Sequence, residues 1–92
     1  MRNERFEWDN AKAASNLLKH NVSFDDAAAA FDDPYALRSW QDHDDEERTL
    51  LIAATDGRIL AVVYTERSVR LRIISARKAT KGEQDDYFAQ RD

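Results

Sequence analysis

Residues 58–78 read Arg58-Ile59-Leu60-Ala61-Val62-Val63-Tyr64-Thr65-Glu66-Arg67-Ser68-Val69-Arg70-Leu71-Arg72-Ile73-Ile74-Ser75-Ala76-Arg77-Lys78. Two runs rich in β-branched residues, near 59–66 and 70–76, flank the short polar reversal Glu66-Arg67-Ser68-Val69, which makes them antiparallel neighbours. Upstream, 48–54 is a third run of this kind, joined to 59–66 through Asp56-Gly57, a two-residue hairpin signal. A fourth covers 36–40, and together they predict a meander. By strict alternation Arg70 and Arg72 share a face with Ile74 and Ala76, while Leu71, Ile73 and Ser75 face the other way with Arg77 at the strand's end. Apolar residues on both faces mark this strand as central.

Toward the N-terminus the rhythm is helical. Phe6-Glu7-Trp8 predicts a short strand, after which Asp9 caps a helix over 10–20. Ala11, Ala14 and Leu18, widened by Leu17, form its apolar face, and Lys12, Asn16 and Lys19 point elsewhere. Lys19 and His20 suit the last turn, Asn21 the left-handed residue after it, and Val22 the hydrophobic contact to Leu17 that closes such an end. Ser23 caps a second helix, with Asp26 as a short capping-box acid and Phe24, Ala27, Ala28 and Phe31 as its buried stripe. Asp32-Asp33-Pro34 ends it, because the residue before Pro avoids helical dihedrals. Beyond the strands, Thr80-Lys81-Gly82-Glu83 is a capping box for a terminal helix through Tyr87-Phe88. The order β-α-α-β-β-β-β-α predicts one α+β domain over 1–92, with helices on one face or end of a largely antiparallel sheet.

Composition narrows the chemistry. Of 92 residues 42% are apolar and 35% charged, with two Gly and one Pro, a balance that excludes a disordered chain. No run approaches the roughly 18 apolar residues of a membrane span, and Met1-Arg2-Asn3-Glu4-Arg5 leads into nothing like a signal peptide, so a cytoplasmic protein is expected. Without Cys there is no disulfide, thiolate nucleophile or thiolate metal site. The net charge of -4 argues against a general nucleic-acid binder. Its distribution says more. Residues 1–56 carry 6 Lys/Arg against 13 Asp/Glu, whereas 57–92 carry 8 against 5, so a basic stripe follows an acidic half and suits a polyanionic or acidic partner.

The stripe holds Arg58, Arg67, Arg70, Arg72, Arg77, Lys78 and Lys81, which either pair with local carboxylates or grip phosphate through bidentate contacts. His20 either steadies the helix dipole or serves as a proton carrier, since its ordinary pKa permits both acid and base roles near neutrality. The stretch Gln41-Asp42-His43-Asp44-Asp45-Glu46-Glu47 lacks the glycine and ligand spacing of a calcium loop and reads as a solvated acidic loop. Tyr64, Tyr87, Trp8 and Trp40 are either packing residues or platforms for unpaired bases. No Gly-rich phosphate loop, His-Glu-x-x-His, nucleophile elbow or zinc spacing occurs, so neither a metal nor a cofactor is expected.

Several segments together resemble one family. Phe6-Glu7-Trp8-Asp9, Lys12, Asn16, Lys19-His20-Asn21-Val22-Ser23-Phe24, Ala27, Phe31-Asp32-Asp33-Pro34, Arg48, Val62-Val63-Tyr64-Thr65-Glu66-Arg67, Arg72-Ile73-Ile74-Ser75-Ala76-Arg77-Lys78-Ala79 and Glu83 are similar to the BrnT toxins of bacterial type II toxin-antitoxin systems. Ala53 and Asn21 depart from it, standing where the family often has Gly. The resemblance implies a RelE-like fold and a ribonuclease that arrests translation. It also implies neutralisation by a BrnA-type antitoxin with a ribbon-helix-helix DNA-binding domain. The complex, expected to be a heterotetramer, would repress its own promoter and touch operator DNA only through the antitoxin.

Metal-free RNA cleavage by the 2′-hydroxyl needs a base, cations for the added phosphorane charge and an acid for the leaving 5′-oxygen. On the matched residues the expectation is that Arg67 and Arg77 hold the phosphate, His20 handles a proton and Arg48 supports the site. Arg70, Arg72, Lys78 and Lys81 would guide the backbone, and Tyr64 would stack a base. The alternative, of another class, is a non-enzymatic adaptor that binds an acidic peptide or a DNA-binding subunit through its basic sheet.

Overall fold

The computed structural model describes residues 1–43 and 46–90. Its elements are β1 (Phe6–Glu7), α1 (Asn10–His20), α2 (Phe24–Ala30), β2 (Leu37–His43), β3 (Glu46–Thr55), β4 (Arg58–Arg67), β5 (Arg70–Lys78) and α3 (Lys81–Ala89). The sheet has the order β1-β5-β4-β3-β2, with β1 parallel to β5 and every other pair antiparallel. This is the α+β meander read from the sequence. Most of the acidic stretch expected as a loop is strand, since β2 runs on to His43 and β3 starts at Glu46. Asp44, Asp45 and the His43 side chain lie outside the described residues. No described helix is long and apolar enough to cross a membrane.

The turns follow local chemistry. Asp56 and Gly57 take φ of 49° and 76°, the left-handed pair that matches the twist of a two-residue hairpin. Asp9 accepts from the Ala11 and Lys12 N–H groups, which hold its carboxyl below the ordinary range. Asn21 takes the left-handed position after α1 at φ 57°. Ser23 caps α2, and Thr80 and Glu83 form the reciprocal capping box of α3.

The helices do not share one face. α1 and α2 pack with Phe6 and Trp8 over Leu51, Leu60, Val62, Tyr64, Ile73 and Ala76, whereas Tyr87 of α3 joins Ile52, Ala61 and Ala79 on the opposite side. Alternation explains this, because β3 and β4 carry apolar residues at odd and even positions alike. Asp33 stitches the two sides at the sheet's end, accepting from Ala54 N at 2.8 Å and from the Tyr87 hydroxyl.

α1 is rotated relative to its apolar pattern. Leu18 is 90% exposed, Ala11, Ala14 and Leu17 are also outside, and Asn16 is buried. The cause lies in β5. β1 pairs only with Leu71 and Arg72, so the later half of β5 has no strand on that side. The Asn16 amide takes the missing strand's place, donating to Ala76 O at 2.8 Å and accepting from Ala76 N at 3.2 Å, with a further bond to Val22 O. Satisfying buried backbone groups outweighs burying one Leu, since each orphan costs about 1–3 kcal/mol.

Candidate functional site

A bulge decides which arginines share a surface. β4 and β5 pair Val63 with Ser75 but Tyr64 with Ile73, so Ile74 is the extra residue and the alternation of β5 resets there. Ile73 and Ala76 both face the α1/α2 core, and Arg70, Arg72, Ser75 and Arg77 all face the other side. Strict alternation separates Arg77 from Arg70 and Arg72; the bulge reunites them. Register brings Glu46 and Arg48 of β3, Thr65 and Arg67 of β4 and Glu7 of β1 to that face too. Arg58 points the other way, to Asp26 at 2.8 Å and Asn21 O at 3.1 Å.

α3 covers only part of this face, over Leu37, Leu50, Ile52, Ala54, Ile59 and Ala61. Beyond it, at the end bounded by the Ser68-Val69 turn, four guanidiniums stand among two carboxylates. Glu46 lies between Arg48 at 3.3 Å and Arg67 at 3.7 Å, and Glu7 receives Arg72 at 2.8 Å. Arg70 has no carboxylate partner among the described residues; its Nε donates to Asn3 O at 2.7 Å. Arg48 Nε is the one buried side-chain polar atom without a hydrogen-bond partner among the described residues. Glu46 is the residue the sequence reading missed, because it belonged to a run taken as solvated loop. The β3–β4 register carries the signal that could have found it, by setting Glu46 on the arginines' face.

Arg77 occupies the other end. It faces Ala61, six residues before Arg67 on β4, or about 20 Å along a strand. Both its terminal nitrogens are bound to Glu83, at 2.7 and 3.0 Å. The Glu83 carboxylate raises the Arg77 pKa, and the Arg77 guanidinium in turn holds the Glu83 carboxyl below its ordinary value. Lys78, expected to guide RNA with the arginines, is exposed but stands opposite Leu60 and so faces the α1/α2 side, and Lys81 pairs with Asp85 at 3.2 Å.

The remaining residues are placed as follows. His20 ends α1 on the opposite side of the sheet from α3, half-buried, with no hydrogen bond or ion pair among the described residues. It does not join Arg48 and Arg67. Tyr64 is buried, edge-on to Phe31 at 4.9 Å, and its hydroxyl accepts from Arg38 Nε at 3.3 Å, so its ring face is closed to a base. Trp8 and Tyr87 are buried as well, which leaves Trp40, 73% exposed, as the accessible aromatic of the four. Trp40 sits on the α1/α2 side of the sheet, beside Asp42, Glu47 and Glu66. These three acids fall in one row across β2, β3 and β4, and none has an ion-pair partner among the described residues. Around Trp40 these acids oppose a polyanion, although Arg38 faces the same side. A recess of about 470 Å³ lined by Asn3, Arg5, Phe6, Ala28 and Asp32 lies beside α2.

Within the described residues no three His, Cys, Asp or Glu side chains are grouped to hold a metal ion. What the arginine face offers is dense, fixed positive charge with one carboxylate at its centre. A family model described as "Ribonuclease toxin, BrnT, of type II toxin-antitoxin system" matches residues 8–83. No curated protein matches the chain.

Proposed function

The chain belongs to the BrnT family of ribonuclease toxins of type II toxin-antitoxin systems, and from that premise we propose that it cleaves RNA without metal on the open arginine face. Arg48 and Arg67 hold the scissile phosphate and stabilise the charge it gains on attack, in place of a cation. Glu46, between the two guanidiniums, takes the proton of the 2′-hydroxyl as that oxygen attacks phosphorus. The P–O5′ bond breaks, the 5′-oxygen takes a proton from water in the open groove, and a 2′,3′-cyclic phosphate remains.

Arg70 and Arg72 carry the adjoining backbone, and Lys81, in the first turn of α3, extends the track, whereas Lys78 lies on the other face and takes no part. Arg77 keeps α3 seated through Glu83, a positioning role. His20 closes the last turn of α1, where a ring N–H suits the carbonyl dipoles. The partner in this reading is a BrnA-like antitoxin that supplies the operator contacts, because a chain of net charge -4 with one basic face is ill-suited to duplex DNA. A heterotetramer of two toxins on an antitoxin pair, repressing its own operon, completes it.

The observation that carries the reading is the gathering of Arg48, Arg67, Arg70 and Arg72 on one uncovered face, with Asp42, Glu47 and Glu66 on the other. The test is cleavage of a defined RNA by the purified chain in the presence of a chelator. Cyclic-phosphate ends, and no cut where the scissile nucleotide is 2′-deoxy, are expected. Cleavage that needs added divalent metal, or that proceeds at a 2′-deoxy position, would overturn the mechanism.

A further inference from the structure

The rotation of α1 leaves an apolar stripe on the outside of the molecule. Ala11, Ala14 and Leu18 fall within about 60° of one another on the helix, at the three- and four-residue spacing of a helix-packing seam, and Leu17 borders them. All four are exposed, Leu18 at 90%. A fold that needed only a solvated helix would place polar residues here. The two small alanines let another helix approach closely, and Leu18 supplies the knob.

Charge says what that helix is like. Along one border run Lys12 and Lys19, two turns or roughly 10.5 Å apart, and α1 contains no acid between Asn10 and His20. In a chain of net charge -4 this is a local reversal of sign. A second copy of the chain is a poor occupant, because two antiparallel α1 helices would set Lys12 of each against Lys19 of the other. A helix with an apolar seam and carboxylates two turns apart satisfies both the stripe and the lysines.

We infer that the outer face of α1 is the seat of an acidic amphipathic helix of the antitoxin. The inference rests on the antitoxin partnership of the proposed function but not on the cleavage mechanism. α1 lies on the opposite side of the sheet from the arginines, so the antitoxin grips the toxin here and reaches the RNA face with another part of its chain.

The test uses the purified chain and, as probe, the protein product of the small reading frame adjoining its gene, titrated by calorimetry. Leu18→Glu is expected to weaken binding at least about thirtyfold, since it sets an unpaired carboxylate in an apolar contact. Lys12→Glu with Lys19→Glu is expected to cost about tenfold, a loss that shrinks as salt is added. RNA cleavage by free Leu18→Glu should equal that of the parent, which reports an intact fold. If the parent binds the probe and Leu18→Glu binds it equally well, the surface is wrong. If the parent does not bind the probe, the partnership fails and this inference with it. A dimer of the free chain that Leu18→Glu dissolves would assign the face to a second copy and overturn the inference.

Discussion

The two faces of the sheet at its Ser68-Val69 end are built from the same strands and carry opposite charge. Along β4, Glu66 points to the side of Asp42 and Glu47, and the next residue, Arg67, points to the side of Arg48, Arg70 and Arg72. Successive side chains of a strand face opposite ways, so an alternating sequence of acids and bases becomes two surfaces of opposite sign. A stretch that averages to little net charge thereby gains one positively charged face. The acids of the basic face, Glu46 and Glu7, are each committed to an arginine, whereas Asp42, Glu47 and Glu66 have no such partner among the described residues.

The sharpest way to break this comparison is to neutralise the carboxylate among the arginines. Glu46→Gln should lower cleavage by about 10²–10⁴-fold with little change in RNA affinity, as loss of a general base does. Unchanged kcat would remove Glu46 from the chemistry. Arg67→Ala should lower kcat/KM by about 10²–10³-fold with Tm unaltered, because the side chain is half-exposed and its ion pair to Glu46 is long. Arg70→Ala touches backbone binding only. The slope of log K against log salt for single-stranded RNA should become shallower by about 0.7, the share of one phosphate contact. A parallel drop in affinity at every salt concentration would show that Arg70 acts otherwise.

The smallest effect concerns the end where α3 sits. There Arg77 is held from both sides of its guanidinium, in contrast to Arg70, and the pair ties α3 to the sheet. Glu83 is depressed below its ordinary 4.5 by Arg77. Its contribution is therefore full above about pH 4.5 and is lost as pH falls through the lower folded-state value. Glu83→Gln should cost about 1 kcal/mol at neutral pH, a figure kept low because Arg77 is partly solvated, and should remove that acid-side loss in thermal denaturation. An unchanged acid limb in the variant would mean the pair does not hold α3.

Much of the fold was legible because local signals agreed with it. Asp56-Gly57, Ser23 and the Thr80–Glu83 box each mark a boundary that the structure keeps. The failures have one character: they depend on contacts distant in sequence. Asn16 and Ala76 are 60 residues apart, and nothing near Asn16 announces that it completes the edge of β5 and so turns α1 over. The bulge at Ile74 is equally silent, since a run of strand-forming residues reads the same with or without an extra member. It placed Arg77 on the face with Arg70 and Arg72, but at the far end, where Glu83 takes it.

The candidate site was half visible for the same reason. Arg48 and Arg67 were matched by motif and the structure sets both beside Glu46, a partner from the acidic run that a reading by composition had set aside as solvent-facing. Tyr64 was offered to RNA as an aromatic on a basic strand, yet its parity turns it into the core against Phe31. Only register separates a base platform from a packing residue.

Glu66 and Arg67, adjacent on one strand and opposite in direction, permit the most direct measurement. RNA binding and cleavage should be compared for Glu66→Arg and Arg67→Glu, both exposed and each a reversal of one charge. The account predicts that Arg67→Glu abolishes both while Glu66→Arg leaves them at the parent level. Retained cleavage in Arg67→Glu, or its loss in Glu66→Arg, would contradict the assignment of the RNA to the arginine face.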